Sequence, residues 1–221
     1  MTRAEEIAHN LALVRERIRR AEDAAGRAAG SVTLIAVSKT MPAEDVAAAH
    51  AAGQLDFGEN YGQELRDKRQ ALAALPLRWH FIGPLQTNKV KYVAGQVALV
   101  HTLDSAALLA EVDRRVGALQ ECLIQVNVAA EPQKRGVAVP ELPALLARAG
   151  ELPHLRCVGL MVIPPAEGDP RPHFAALREL RDRARLRELS MGMSGDLEVA
   201  IAEGATLVRV GTAIFGERRR A

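Results

Sequence analysis

Two cysteines in 221 residues leave no disulfide framework and no metal-ligand spacing. Cys122 and Cys157 each sit inside an apolar, strand-like run and read as small buried hydrophobes suited to a reducing compartment. Charge of one sign is also missing: the formal net charge is +2, so no acidic or nucleic-acid partner follows from the total. The only dense basic run, Arg218-Arg219-Arg220, is expected to be a solvated tail. No apolar run approaches the length of a membrane span. The N-terminus has no apolar signal core, and Glu5, Glu6 and Glu16 in its arginine-rich helix argue against a transit peptide. A cytoplasmic protein is expected.

What the chain does have is a strict alternation of short apolar strands with helices. Residues 3–25 carry Ile7, Leu11, Val14 and Ile18 at helical spacing, with stop signals at Gly26 and Gly30. The run from Leu34 to Thr40 is the first strand, and Pro42 to His50 has the early proline and acids of a helix start. Further strands are expected at 54–57, 79–82, 97–101, 122–128, 155–163, 188–191 and 206–210. Helices fall at 62–74, at Asp104 or Ser105 to about Val116, from Pro140 to Gly150, around Phe174 to Leu186, and from Asp196 to Ala202. Eight strands and eight helix slots in a chain of 221 residues predict one domain, 1–221, closed as a (β/α)8 TIM barrel with an extra N-terminal helix. An open doubly wound sheet is the rival. No G-x-G-x-x-G follows the first strand to support it, and eight units would make it wide.

In a barrel, the carboxyl ends of the strands carry the chemistry. Lys39 ends the first strand and aims its amine there, although a lysine at a strand end can simply reach out to water. Two small-residue loops, Ser190 to Asp196 and Arg209 to Gly216, follow the last two strands, where such barrels often hold phosphate on backbone N–H groups. Gly192, Gly195 and Gly211 admit close approach, and Ser194 and Thr212 add hydroxyl donors. Closure sets the first strand beside the eighth, so Lys39 faces that phosphate site. An amine beside a phosphate site points to a Schiff base with a phosphorylated carbonyl compound, either pyridoxal 5′-phosphate or a phosphosugar. Arg209 lies two residues before Gly211 and so points inward with it. There it needs an acceptor, which is a core carboxylate or the pyridine nitrogen of pyridoxal phosphate. In the second case an always-protonated donor leaves the ring nitrogen unprotonated and the ring a weak electron sink.

Leu34 to Thr40, Phe57-Gly58-Glu59-Asn60-Tyr61, Trp79 to Lys89, Leu189 to Asp196 and Arg209 to Gly216 together resemble the YggS/PROSC family of pyridoxal phosphate homeostasis proteins. That family is related to the barrel domain of alanine racemase, the fold type III pyridoxal-phosphate barrel. The resemblance spans nearly the whole chain. It implies that Lys39 carries the cofactor as a Schiff base, that Ser194, Gly211 and Thr212 hold its phosphate, that Arg209 meets the ring nitrogen, and that Asn60 touches the cofactor. Asn127, Met161 and His80, also near strand ends, are assigned to packing or loop support. Lys89, Lys91 and Lys134 are expected in solvent.

A racemase of this type needs a second acid/base, which its relatives take from a partner subunit and an extra β domain. The chain ends at Ala221, just after the eighth strand, and neither of its two tyrosines, Tyr61 and Tyr92, has a sequence reason to face Lys39. The expected function is therefore reversible holding of pyridoxal phosphate, buffering it or delivering it to apo-enzymes, by a monomer with little or no catalysis. The alternatives are a racemase-like enzyme acting through Lys39 and a phosphosugar aldolase. The aldolase has no use for Arg209 at a ring nitrogen.

Overall fold

A computed structural model describes residues 1–217; Arg218-Arg219-Arg220 lie outside the described residues. The chain runs α1 (Arg3–Ala24), β1 (Thr33–Val37), α2 (Ala43–Ala51), β2 (Asp56–Glu59), α3 (Gly62–Ala71), β3 (Arg78–Phe81) and β4 (Leu99–Leu103). It continues with α4 (Ala106–Arg115), β5 (Gln120–Asn127), β6 (Val137–Ala138), α5 (Leu142–Gly150), β7 (Leu155–Met161) and α6 (Arg171–Arg183). The last elements are β8 (Glu188–Ser190), α7 (Leu197–Ala202), β9 (Leu207–Val210) and α8 (Thr212–Phe215). All strand pairs are parallel, in the order β4-β3-β2-β1-β9-β8-β7-β5-β6, and β4 also pairs with β5. That last pairing closes the expected barrel, and only the two-residue β6 stands outside the ring.

Several expectations shift: the first strand ends at Val37, the fourth runs Leu99–Leu103 and the sixth ends at Met161. The second strand begins at Asp56 because buried Gln54 turns its side-chain amide onto the carbonyls of Leu34 and Asp56 instead of joining the ladder. The third helix slot holds a 3-10 helix, Thr87–Tyr92, pinned by buried Val90. The unforeseen β6 pairs with the end of β5 through Val126 and Asn127.

Period two along the strands splits the core into two layers. Ile35, Leu99, Leu123, Val158, Met161 and Leu207 fill the barrel interior, while the outward residues pack beneath the helices. A register shift between Cys122 and Leu123 on β5 lets both Val158 and Met161 of β7 face inward. Cys122 is buried as expected, but its cross-strand neighbour Cys157 is only half-buried.

A Thr2–Glu5 capping box starts α1, whose apolar stripe Ile7, Leu11, Val14 and Ile18 is buried. The helix packs on α2, α7 and α8, covering the side of the barrel and not its floor. No helix among the described residues is long and apolar enough to cross a membrane, and none of their side chains cluster as a metal site.

Candidate functional site

At the carboxyl ends of the strands lies a cavity of about 320 Å³. All six residues singled out from the sequence line it: Lys39, Asn60, Ser194, Arg209, Gly211 and Thr212. Val37, Ile82, Ile163 and Met193, which the sequence did not single out, supply apolar walls. Larger hollows exist beside α1 (about 460 Å³) and between α5 and α6 (about 560 Å³), but both lie on the outside of the barrel, away from the converging strand ends.

Lys39 is half-buried at the end of β1, and the backbone on both sides of it is held from behind. Lys68, buried on α3, donates to the Ser38 carbonyl (2.6 Å), to Glu59 Oε1 (2.8 Å) and to Glu64 Oε1 (2.6 Å). Glu64 also accepts the Thr40 N–H at 2.6 Å. Thr40 needs that hold, because at φ 64° it is a β-branched residue in the left-handed region. Burial pushes the Glu59 carboxyl up against the downward pull of Lys68 and Ser38. Glu59, Glu64 and Lys68 were missed as supporting residues. Their signal was the i, i+4 spacing of Glu64 and Lys68 behind two outward positions, Ser38 and Glu59.

Arg209 is buried, yet among the described residues no carboxylate stands within ion-pair distance of it. It donates from Nη1 to Ser190 Oγ (2.6 Å) and from Nη2 to the Val162 carbonyl (3.0 Å). Burial lowers its pKa to about 10, which leaves it cationic at neutral pH. Asn60 is pressed into place by Gly83, and its Oδ1 is buried with no partner among the described residues.

The two small-residue loops meet at the same cavity, and α1 ties down both. Arg17 donates to the Ser194 carbonyl (3.0 Å), Asn10 to Ile214 (3.0 Å) and Arg3 to Phe215 (2.7 Å). Gly192 is required between β8 and this loop, since at φ 93° a Cβ would stand 2.6 Å from the Ala200 methyl.

Elsewhere the expectations divide. Met161 packs in the inner core, and the Asn127 amide holds the following loop through the Glu131 carbonyl at 2.8 Å. Lys89 and Lys91 are exposed beside the Tyr92 ring, whereas Lys134 is paired with Glu131 at 2.8 Å. His80 is no mere packing residue, being buried between Asp56 and His101.

A family model described as "Alanine racemase, N-terminal domain" matches residues 4–219. A protein of Pseudomonas aeruginosa named pyridoxal phosphate homeostasis protein is 49% identical, with 96% of each chain covered. The chain belongs to the alanine racemase N-terminal domain family, among its pyridoxal phosphate homeostasis proteins. A second such protein, from Aquifex aeolicus, is 47% identical over 95% of this chain and 97% of its own. Among solved structures, PipY of Synechococcus elongatus, described with PLP bound, has a TM-score of 0.83 at 39% identity, covering 95% of this chain and all of its own. Alanine racemase of Corynebacterium glutamicum shares the family's barrel fold, with a TM-score of 0.72 at 17% identity. This chain spans 62% of that one.

Proposed function

We propose that this chain holds pyridoxal 5′-phosphate as a Schiff base on Lys39 and serves cofactor homeostasis in the cytoplasm, buffering it or delivering it to apo-enzymes. The observation that carries the proposal is the convergence on one cavity of an amine, two small-residue loops with hydroxyl donors, and a buried arginine with no carboxylate partner among the described residues. The residues fit the cofactor. Asn60 Oδ1 is a buried acceptor still open to a donor, and Gly211 lies so close to Val37 that a Cβ there would stand 3.3 Å from the Val37 carbonyl oxygen, which keeps the cavity wall at that point free of a side chain. The PLP-bound state of PipY, at 39% identity, supports the same ligand here.

With the cofactor present, Lys39 Nζ would be the amine that condenses with its aldehyde, the aldehyde oxygen leaving as water. Ser194, Gly211 and Thr212 would hold its phosphate, and Arg209 would offer an N–H to its ring nitrogen. When bound, the cofactor supplies an electrophilic imine. A guanidinium donor does not protonate the ring, which limits its capacity to stabilise a carbanion. Neither tyrosine lines the cavity: Tyr61 is 55% exposed, and Tyr92 packs beside Arg66, Lys89 and Lys91. This favours holding over racemisation.

The test is a visible absorption spectrum with added pyridoxal phosphate for wild type and Lys39→Ala, followed by borohydride reduction and peptide mapping. A yellow species reduced onto Lys39 and lost in the variant is expected. Transfer of the cofactor to an apo-acceptor enzyme, without exchange of an amino acid's α-proton for solvent deuterium, is expected next. Rapid exchange would turn the assignment to a racemase-like enzyme, and no Schiff base on the wild type would overturn it.

A further inference from the structure

Five polar side chains form a continuous line through the barrel interior. Asp56 Oδ1 lies 3.0 Å from His80 Nε2, and His80 Nδ1 lies 3.0 Å from His101 Nε2. His101 Nδ1 lies 2.8 Å from Ser190 Oγ, which accepts from Arg209 Nη1 at 2.6 Å. All five residues are buried, none more than 7% exposed, so bulk water does not interrupt the line.

With both imidazoles neutral, the two ends set which way every hydrogen bond points. A guanidinium can only donate and a carboxylate can only accept. Arg209 occupies one lone pair of the Ser190 hydroxyl, and that hydroxyl's proton is directed to His101 Nδ1. His101 then carries its proton on Nε2 and donates to His80 Nδ1, and His80 donates from Nε2 to Asp56. Reasoning back from Asp56 gives the same two tautomers. That direction requires both imidazoles to be neutral, between the guanidinium of Arg209 and the carboxylate of Asp56.

The physical setting favours that arrangement. Burial works to raise the Asp56 pKa, but hydrogen bonds from His80 and Arg78 outweigh it and keep the carboxyl below its usual range. Burial, with His80 and Arg209 nearby, pushes His101 well below the ordinary histidine value. Arg78, Glu121, Arg187 and Glu188 surround Asp56 and His80 at a cleft of about 190 Å³ on the barrel floor, where Arg187 pairs with Glu188 at 2.6 Å. Arg209 stands at the opposite, mouth-side cavity, so the line connects the two ends of the barrel.

We propose that Asp56, His80, His101 and Ser190 are positioning residues for Arg209, a one-way hydrogen-bond relay that aims its guanidinium at the pyridine nitrogen of the bound cofactor. This rests on the assignment of the mouth as the pyridoxal phosphate site. A carboxylate directly against Arg209 would hold the same N–H groups the cofactor needs. Among the described residues no carboxylate touches Arg209: Asp196 acts on it only through space, and Asp56, itself paired with Arg78 at 2.5 Å, stands four links away, which leaves donors for the ligand.

The test has two arms on the full-length chain. Nitrogen-15 NMR of the imidazoles, with and without pyridoxal phosphate, should show His80 and His101 neutral with the proton on Nε2 at pH 7. Assignment would use His80→Gln and His101→Gln. A proton on His101 Nδ1, or an imidazolium at either position, would overturn the relay. In the second arm, Asp56→Asn and Ser190→Ala should weaken pyridoxal phosphate binding about tenfold, the worth of a charge-assisted hydrogen bond. Both should also move the pH midpoint of the Schiff-base absorption, while Ser190→Thr, which keeps the hydroxyl, restores wild-type behaviour. Folded Asp56→Asn and Ser190→Ala proteins that bind within twofold of wild type with an unmoved midpoint would overturn the positioning role. Absence of a Schiff base on wild-type Lys39 would instead sink the cofactor assignment and the relay's role toward it, while the histidine tautomers would still read as drawn.

Discussion

A Cβ on Gly83 would stand 2.1 Å from the Asn60 carbonyl oxygen and 2.4 Å from its Cα, so the turn after β3 lies directly on the residue that follows β2. Gly83→Ala has to displace the backbone of a cavity-lining residue. The expected cost is about 2 kcal/mol of stability, within the range of overpacked sites. Weaker pyridoxal phosphate binding is expected with it, read by urea denaturation and by titration of the visible absorption.

Lys68→Met removes the cation from a site where Glu59 is wholly buried and one of its oxygens, Oε2, already lacks a partner among the described residues. Breaking a buried pair from one side leaves an uncompensated charge, so a loss of about 3 kcal/mol is expected. Combining it with Glu59→Gln should recover part of that loss. Equal destabilisation in the single and double variants would argue against the pair as the cause.

The depressed folded-state pKa of His101 carries a sign for pH dependence. Below about pH 6.5 the unfolded chain takes up a proton on this imidazole that the folded protein refuses, so stability is present above that value and lost as pH falls. One such group contributes a slope of at most about 1.4 kcal/mol per pH unit. His101→Gln should therefore lose less stability than wild type between pH 7.5 and 5.5, whatever its stability at pH 7.5.

Arg17 links α1 to the Ser194 loop and to Glu198, with bonds of 2.7 and 2.9 Å to the two oxygens of that carboxylate. Its side chain is 36% exposed, so Arg17→Ala should change stability by under about 1 kcal/mol. If the helix steadies the phosphate loop, binding of pyridoxal phosphate should fall more than binding of pyridoxal, which lacks the phosphate. An equal fall for both ligands would assign the effect to the barrel as a whole.

The local pattern of residues carried much of this. Alternating strands and helices, the lysine ending β1 and the two small-residue loops after β8 and β9 are signals of composition and spacing within a few residues. Each could be placed before any contact was known, because strand period two and turn chemistry are local. Barrel closure then followed from the number of units, which sets Lys39 beside Arg209 and Gly211.

Contacts between positions distant in the chain were not legible. That Lys68 would hold Ser38 and Glu59, that Gly83 would press on Asn60, and that His80 would join Asp56 to His101 depend on how neighbouring strands align. A one-residue slip of any strand would turn its side chains to the other face. By itself, the sequence determined the order of elements and the chemical groups available at the strand ends. Only the tertiary structure decided which buried polar atoms satisfy one another, because a polar group inside the barrel must find its partner among whatever the register brings across.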